Sequence, residues 1–519
     1  MKLNYKRTIC VGFAFFLICA FLQAYDNTIP LILTNKFGLS QTLSGIIMAL
    51  DNVLALFMLP LFGAISDRSR SRFGRRTPFI VAGTLVAAAA FVLLTFADNA
   101  QLRELGPAAR IDDPAALSVI YEAEGSSALL TPDGERFTLE EKFSEAEFTA
   151  IRSQIVSGEK TVTNPDYTNY VVPARRAYAA GMTAQHKGPI ILFIVLLLVV
   201  LVSMAVFRSP AVALMPDVTI KPLRSKANAV INLMGSFGGI LVLALGIVFA
   251  TSAVRNSLMS YTAFFAVIAL IMLAALAVFL LTVREKRFVR EMQEESRRCG
   301  LSDGDEEEEQ TGAKRTLSGP EKKSLAFLLL SIVLWFFGYN AVTSKYSVYA
   351  SNILHKDYNL TLIIAQAAAI ISYLPVGMVA SKVGRKKTIL AGIVFLAVAF
   401  GAAAFMRDDS PTLLMNVCFA LAGIGWATIN VNSFPMVVEM ASGSDVGKYT
   451  GFYYTASMAA QVVTPMVSGF LMDKLGMTVL FPYAAVFVVL AFLTMLTVRH
   501  GDSRPEAKKG LEALDVDDG

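Results

Sequence analysis

Three charged residues inside long apolar segments are the side chains of this sequence best placed to do chemistry. Asp26 lies in the first apolar segment, Asp51 near the middle of the second, and Arg208 in the fourth. A charge near the centre of a bilayer costs at least about 2.5–3.5 kcal/mol, so such a residue is a functional candidate by default. A buried carboxyl group that binds and releases a proton can couple a proton gradient to another movement. We therefore expect Asp51 to be the proton carrier, with Asp26 as the second candidate.

A competing interpretation places Asp26 and Arg208 near the two membrane surfaces. Long helices exceed the bilayer thickness, and an arginine side chain can extend its charge to headgroup water. The depths of the two residues in their segments also predict that they are too far apart to pair directly. Asp51 has the least access to either surface, which is why it ranks first.

A second group of polar and aromatic side chains has the composition of a sugar-binding site. Such a site needs planar hydrogen-bonding groups and aromatic faces around a wet central cavity. Taken singly, each of these residues is more often used for packing or for an interhelical hydrogen bond. Spread over most of the chain, they fit together as a site at the membrane midplane. The candidates are Gln23, Asn27, Arg208, Asn232, Tyr339, Asn340, Gln366, Tyr373, Trp426, Asn430, Asn432, Tyr453 and Gln461.

The composition indicates a membrane protein with many spans. Of the 519 residues, 55% are hydrophobic and only 17% are charged, whereas soluble domains carry about 25% charged residues. A hydrocarbon core about 30 Å thick requires roughly 20 apolar residues per helix, which leaves room for about a dozen spans. The four cysteines form no C-x-x-C motif and the chain has three histidines, so we expect no disulfide framework, metal or cofactor. No span carries a nucleophile–base pattern, which argues against an enzyme.

The apolar runs predict twelve transmembrane helices. They lie at 9–33, 41–66, 77–97, 188–215, 227–250, 260–283, 323–343, 360–381, 387–406, 411–435, 449–472 and 478–498. Arg and Lys concentrate in alternate connections, and short basic loops face the cytoplasm, so both termini are expected there. The basic start of the chain resembles a signal peptide, but cleavage would leave an odd number of spans and reverse the basic loops. The net charge of +5 reflects these loops and does not indicate nucleic-acid binding.

The same pattern divides the chain into two halves with two additions. We expect a six-helix first half at 1–283, a cytoplasmic linker at 284–322, a six-helix second half at 323–498 and a cytoplasmic tail at 499–519. An acidic run flanked by basic runs predicts a disordered linker. Residues 98–187 form a long extracellular insert between spans three and four, with enough aromatic residues to predict a small folded subdomain. Two roles stay open for this subdomain: a cover over the extracellular end of the bundle, or an accessory domain.

One basic loop has an ordered motif, G-A-I-S-D-R-S-R-S-R-F-G-R-R-T-P, from Gly63 to Pro78. Its first glycine allows two helices to approach closely, Asp67 can cap or pair, and Gly74 makes a turn before a second basic pair. A weaker copy, G-M-V-A-S-K-V-G-R-K-K-T, begins at Gly377 and has Ser381 in place of the acid. The repeat predicts two related halves. The simpler alternative is that the arginines only orient the helices.

The longer string from Leu61 to Gly83 resembles the loop between helices two and three of major facilitator superfamily transporters. It is most similar to sucrose–proton symporters and to the glycoside–pentoside–hexuronide symporter group. The resemblance implies an all-α membrane protein with twelve transmembrane helices in two pseudo-symmetric six-helix halves. It also implies a latch of the outward-facing state, in which the basic loops pair with acids of spans four and ten. The latch residues are Gly63, Asp67, Arg68, Gly74, Arg75, Arg76, Asp217, Lys382, Arg385 and Glu439.

Two departures from these families bear on the substrate and the coupling ion. The segment from Ser209 to Asp217 resembles the G-P-x-R-A-L-L-A-D of sucrose symporters, but Val212 occupies the arginine position and Arg208 is its nearest substitute. Melibiose-type carriers hold sodium with two span-two aspartates, whose positions here are Ala55 and Leu59. A hard cation needs such an oxygen cage, so sodium coupling by that route is not expected.

We therefore expect a secondary active transporter in the cell membrane that takes up a disaccharide or glycoside with protons by alternating access. Its partners would be a small-molecule sugar, protons and the lipid bilayer, with no nucleic acid, and it would act as a monomer. One alternative is a facilitator-type exporter of small amphipathic compounds, which would need a more apolar cavity. Another is a non-transporting membrane sensor that binds its ligand with the extracellular insert.

The predicted orientation can be tested by cysteine labelling. In a background without native cysteines, Ser126→Cys in the insert should react with an impermeant maleimide added outside the cell. Ser302→Cys in the linker should react only after the membrane is opened, because basic loops stay in the cytoplasm. The reverse pattern would overturn the orientation.

Overall fold

Twelve long helices dominate the computed structural model, which describes residues 3–157, 160–220, 223–298, 317–440 and 446–500. Spans 1 to 6 are Tyr5–Asn35, Gln41–Arg68, Thr77–Glu104, Gly188–Asp217, Arg224–Val248 and Thr262–Thr282. Spans 7 to 12 are Gly319–Tyr349, Tyr358–Val383, Arg385–Ala403, Thr412–Val438, Val446–Leu475 and Leu480–Thr497. Eleven described helices are long and apolar enough to cross a bilayer, and span 8 contains the shorter apolar stretch Tyr358–Tyr373. The predicted twelve-helix membrane fold is thereby confirmed.

Local sequence explains where several spans begin. The side chains of Asn4, Ser40 and Asp357 each accept a hydrogen bond from a backbone N–H in the first turn of spans 1, 2 and 8. Ser318 and Glu321 form a capping box at the start of span 7. Such caps satisfy N–H groups that have no partner inside the helix. Several spans also contain an internal proline, which helices in a membrane tolerate because neighbouring groups satisfy the freed carbonyls: these are Pro30, Pro60, Pro210, Pro216, Pro375, Pro435 and Pro465.

Each half is built around its own apolar core. One core joins spans 1 to 6, and the other joins spans 7 to 12 with Leu31 of span 1. Within the halves, span 1 packs on span 5 and span 3 on span 4, while span 10 packs on spans 8 and 9. The halves meet where span 2 runs along span 11, span 5 along span 8 and span 1 along span 7. Three spans of each half therefore meet along the middle of the bundle.

The insert is a folded unit at one end of the bundle, which we call the insert side; the opposite end is the basic-loop side. Span 3 continues to Glu104, beyond its predicted end at 97, and the insert follows it. Its buried core includes Leu117, Phe137, Phe148 and Tyr167. Its helices are Gly106–Ala109, Pro114–Glu124, Leu139–Lys142, Glu145–Ala150, Tyr167–Val171 and Val172–Gln185, and its hairpins pair Leu129–Leu130 with Arg136–Phe137 and Gln154–Ser157 with Lys160–Thr163. The remaining short turns are Val254–Asn256, Ala350–Leu354 and Met477–Val479.

The linker prediction needs a correction. Glu285–Arg298 is a helix that follows span 6 rather than a disordered tether, and span 7 begins at Gly319. Glu285, at its start, is buried in the first half, and Phe288 packs against the core of that half. These anchors outweigh the high charge of the segment, which suggested disorder. The acidic run 303–309 and the tail 501–519 lie outside the described residues.

Removing an aromatic ring from the insert core should destabilise the insert without unfolding the spans. Phe148 is fully buried there, and Phe148→Ala should cost about 3–5 kcal/mol because it leaves a cavity. Limited proteolysis should then cleave the insert faster while the transmembrane fragments stay intact. Val156→Ala is the matched control, because Val156 is 78% exposed; equal cleavage of the two variants would contradict the assigned core.

Candidate functional site

A cavity of about 290 Å³ lies between the halves. Gln23 of span 1 and Gln366 of span 8 enter it from opposite halves. Gly239 of span 5 keeps the space between them, since a Cβ there would lie 3.3 Å from both Gln23 Oε1 and Gln366 Nε2. The buried Oε1 of Gln366 has no hydrogen-bond partner. The central cavity thus presents amide groups from both halves to whatever occupies it.

An aromatic pair forms another wall of the central cavity. The rings of Tyr339 and Trp426 stack with their centroids 3.7 Å apart and their planes 4° apart, and both residues line the cavity. Tyr373 lines it from span 8, and Asn27 lines it from span 1 while its Nδ2 donates to the Gln23 carbonyl oxygen at 2.9 Å. A flat, rigid aromatic surface beside amide groups is suited to a ring with apolar faces and polar edges.

A smaller cavity of about 170 Å³ adjoins the first. Asp26, Asp51 and Arg208 line it together, and Asp26 and Thr343 line both cavities. Asp26 and Arg208 thus face one cavity, which the long arginine side chain reaches from span 4, but they do not pair directly, as their depths predicted. Among the described contacts, none of the three charges forms a hydrogen bond or an ion pair within 4.0 Å.

Two predicted site residues complete the charged cavity, and four others lie elsewhere. Asn340 and Gln461 line it with Asn52 and Ser344, and the buried Nδ2 of Asn340 has no hydrogen-bond partner. The four predicted residues that line neither cavity are Asn232, Asn430, Asn432 and Tyr453. Asn432 Nδ2 donates to the Thr428 carbonyl oxygen, and Tyr453 Oη lies 3.1 Å from Ser433 Oγ. Those bonds are consistent with a packing role.

The basic loop between spans 2 and 3 is held by Asp217 at the end of span 4. Arg75 donates to both carboxylate oxygens of Asp217, at 2.5 and 3.1 Å, and Arg76 donates at 2.8 Å. Arg76 also pairs with Asp67 and donates to Ser66 Oγ. A Cβ at Gly63 would lie 3.0 Å from the Ser209 hydroxyl, so this glycine lets span 2 approach span 4, while Arg68 is exposed.

Glu285 is a member of this cluster that the sequence did not reveal. It is 2% exposed. Its carboxylate accepts hydrogen bonds from the backbone N–H groups of Arg75, Arg76 and Thr77, at 2.7, 3.0 and 2.8 Å, and from the Thr77 hydroxyl at 2.7 Å. The carboxylate therefore caps the N-terminus of span 3, where N–H groups are free and the helix dipole favours an anion. Gly74 has φ +122° and leaves room for the carboxylate, since a Cβ there would overlap it.

The related loop of the second half has a simpler pair. Arg385 at the start of span 9 forms an ion pair with Glu439 at the end of span 10. Lys382 is exposed and forms no described ion pair. The described ion pairs of both loops lie within a single half. They are the pairings of basic loop and acid that the predicted latch requires, and each fixes helices of one half to one another. Their role in holding the outward-facing state stays a prediction.

Two six-span halves enclosing buried polar cavities define a multi-pass membrane transporter. A family profile described as Major Facilitator Superfamily matches residues 177–367 and 352–515, and one described as MFS/sugar transport protein matches residues 10–102. The first profile alone covers more than half of the chain. The protein belongs to the major facilitator superfamily and is a transporter of that family, not an enzyme.

Curated relatives are distant and match only part of the chain. The MFS-type transporter ppzB of Metarhizium rileyi is 27% identical over 123 residues, 24% of this chain and 25% of the relative. An uncharacterized MFS-type transporter of Methanocaldococcus jannaschii is 29% identical over 126 residues, 24% of this chain and 30% of the relative. These alignments thus span about a quarter of the relatives' length.

Solved structures match along nearly the whole chain. The inward-open xylose transporter XylE from E. coli aligns with TM-score 0.59 and 15% identity, covering 98% of each chain. A bacterial homologue of the iron transporter ferroportin, in an inward-facing state, aligns with TM-score 0.57 and 13% identity, covering 96% of this chain and 100% of that one. At such low identity these matches show the shared fold alone.

Neutralising Glu285 should destabilise the junction of the linker helix with span 3. Glu285→Gln keeps the shape but replaces a carboxylate that accepts hydrogen bonds from three N–H groups and a hydroxyl, and bonds to a charged group contribute about 1.5–3 kcal/mol each. We expect a lower melting temperature in detergent. Glu294→Gln, on the exposed face of the same helix, should leave it unchanged; equal melting temperatures for all three proteins would exclude the cap.

Proposed function

We propose that this transporter carries a disaccharide or another glycoside across the cell membrane together with a proton. The observation that supports the proposal best is the adjacency of the two cavities. One offers amide groups and a stacked aromatic wall, and the other holds two carboxyl groups and one guanidinium group. Because Asp26 and Thr343 line both, a substrate in the first cavity would contact Asp26, one of the charged groups of the second.

The polar groups of the central cavity suit a hydroxylated ring. The side-chain amides of Gln23 and Gln366 can each both donate and accept hydrogen bonds, and sugar hydroxyls need both. Trp426 gives the flat surface on which the apolar face of a sugar ring can lie. Since the two glutamines belong to different halves, a bound sugar would contact both halves at once. Such a substrate would stabilise the state in which the halves are close together.

The charges of the second cavity support coupling to one proton. With Asp26 and Asp51 both ionised, Arg208 neutralises only one of the two negative charges. A charge left in an apolar bundle is costly, so binding of a single proton would remove the excess. The neutral cavity, with the sugar bound, could then open to the other side of the membrane. Ala55 and Leu59, at the positions of the sodium-binding aspartates of melibiose-type carriers, argue for a proton rather than sodium.

The remaining parts of the proposal concern orientation and mechanism. In this proposal the basic loops lie in the cytoplasm, the insert lies outside, and the protein acts as a monomer. The two halves would rock about the central cavities and expose them alternately to each side. The similarity of the Leu61–Gly83 string to sucrose–proton symporters favours this substrate class.

One observation favours an exporter of amphipathic compounds instead. Leu243, Leu362 and Ile370 line the central cavity beside its polar groups, so part of the wall is apolar. Such an exporter would carry an amphipathic substrate outward in exchange for protons. Uptake of labelled disaccharides by proteoliposomes with an imposed pH gradient separates the two candidates, because only the symporter accumulates sugar on the alkaline side.

Replacing Asp51 should uncouple sugar movement from the proton. Asp51→Asn keeps the shape of the side chain but cannot ionise, so pH-driven accumulation should be lost while exchange of sugar across the membrane continues, since exchange needs no net proton movement. The measurement is sugar uptake and counterflow in proteoliposomes, with Asp409→Asn in an exposed loop as the control. Accumulation that survives in the Asp51 variant would shift the role to Asp26. Accumulation that needs sodium in the native protein would disprove proton coupling.

A further inference from the structure

The N-terminus of span 2 is held by a residue of the opposite half. Asp473, near the end of span 11, accepts hydrogen bonds from the backbone N–H groups of Gln41 and Thr42 at 2.7 and 2.8 Å and from the Thr42 hydroxyl at 2.5 Å. These N–H groups lie in the first turn of a helix, where no partner within the helix exists. The helix dipole adds to the attraction of the carboxylate.

Lys345 of span 7 binds the same turn. Its side chain is fully buried, and its Nζ donates to the Gln41 carbonyl oxygen at 2.6 Å. The helices here are in backbone contact, since a Cβ at Gly45 would lie 2.1 Å from the Pro465 carbonyl oxygen and one at Gly469 would lie 2.3 Å from that of Gln41. The halves are therefore closed against each other at the insert side.

The insert spans this closed seam. Arg176 donates to Asn35 Oδ1 of the first half at 2.7 and 3.1 Å and to Asn352 Oδ1 of the second half at 3.2 Å. Burial lowers the pKa of Arg176 to about 10, so its guanidinium stays charged at neutral pH. The insert makes a further backbone contact with the second half, where Met477 N–H donates to the Pro132 carbonyl oxygen at 2.7 Å.

The insert is joined to its own half by hydrogen bonds, close backbone packing and the chain itself. Thr183 Oγ1 donates to the Phe37 carbonyl oxygen at 2.9 Å, and Gln101 Nε2 donates to Thr183 Oγ1 at 2.9 Å. Gly38 has φ +64°, and a Cβ there would lie 2.3 Å from the Ala180 backbone nitrogen. The chain also connects both ends of the insert directly to spans 3 and 4. The insert must therefore move with the first half.

We propose that the insert and Asp473 together form a strap that closes the carrier on the insert side and releases the second half whenever that side opens. The insert stays on the first half. The strap opens by breaking the bonds of Arg176 to Asn352, of Thr168 to His355 and of Pro132 to Met477, together with those of Asp473 and Lys345 to span 2. The inference rests on the proposed alternating access, but not on the identity of the substrate. Weakening the strap shifts the equilibrium toward the state that is open on the insert side.

The test measures access to the central cavity from the insert side. Thr343→Cys, in a background in which Cys10, Cys19, Cys299 and Cys418 are replaced, reports the reaction rate with an impermeant maleimide. Adding Asn352→Ala or Asp473→Asn should raise that rate about three- to tenfold, the shift in a two-state equilibrium that the loss of one hydrogen bond produces. Ser118→Ala, which loses a hydrogen bond to Glu145 on the exposed face of the insert, is the control and should leave the rate unchanged.

The outcomes separate the strap from the proposed transport. Unchanged labelling in a monodisperse Asn352→Ala protein would disprove the strap, and this variant decides the matter if Asp473→Asn fails to fold. Faster labelling of Ser118→Ala to the same extent would also disprove it, because any disturbance of the insert would then suffice. The strap variants could label faster even though the native protein takes up no sugar. That result would support the strap and contradict the proposed substrate.

Discussion

The stability of the helix bundle depends on how it accommodates the charged side chains that it removes from water. Asp26, Asp51 and Arg208 share one cavity without direct pairing, so their mutual attraction acts across a polar space rather than through a closed ion pair. A closed pair would be stable and inert, whereas separated groups stay available to a proton and to a ligand. By contrast, Lys36 and Asp98, on the insert side, are almost fully buried and only 2.5 Å apart. That pair is structural, and the difference in spacing distinguishes the two uses of charge.

The two ends of the molecule use polar contacts differently. On the basic-loop side, Asp217 of span 4 and Glu285 of the linker helix bind the loop between spans 2 and 3, and these contacts all lie on the first half. They fix the ends of spans 2, 3 and 4 to one another. On the insert side, Asp473 and Arg176 bind groups of the opposite half. A carrier whose halves move as rigid bodies needs both kinds of contact, because the first transmits the motion and the second decides which side is open.

Much of the fold was predictable because apolar length and basic loops are local signals. The twelve spans followed from segment length, and the pairing of the basic loop with Asp217 from the resemblance of that loop to the superfamily's. The cost of burying charge singled out Asp26, Asp51 and Arg208, which line one cavity, while their roles stay predictions. The capping role of Glu285 was not predicted, because no local sequence signal marks an acid in a charged linker as the cap of a helix more than 200 residues earlier. Lys345 escaped because the apolar run was expected to end at 343, whereas span 7 continues to Tyr349. The bridging role of Arg176 depends on tertiary contacts alone.

The central claim is that the two halves move as rigid bodies about the shared cavities, and paired distance measurements test it most directly. Spin labels at Arg255 and Asp409 report the separation of the halves on the insert side, and labels at Arg72 and Lys387 report it on the basic-loop side; all four residues are exposed. Double electron–electron resonance in proteoliposomes at several pH values should give two distances between the labels at each end. The fraction of molecules with the shorter distance at one end should grow as the corresponding fraction at the other end shrinks. A single distance at both ends under all conditions, or distances that lengthen together, would contradict the account.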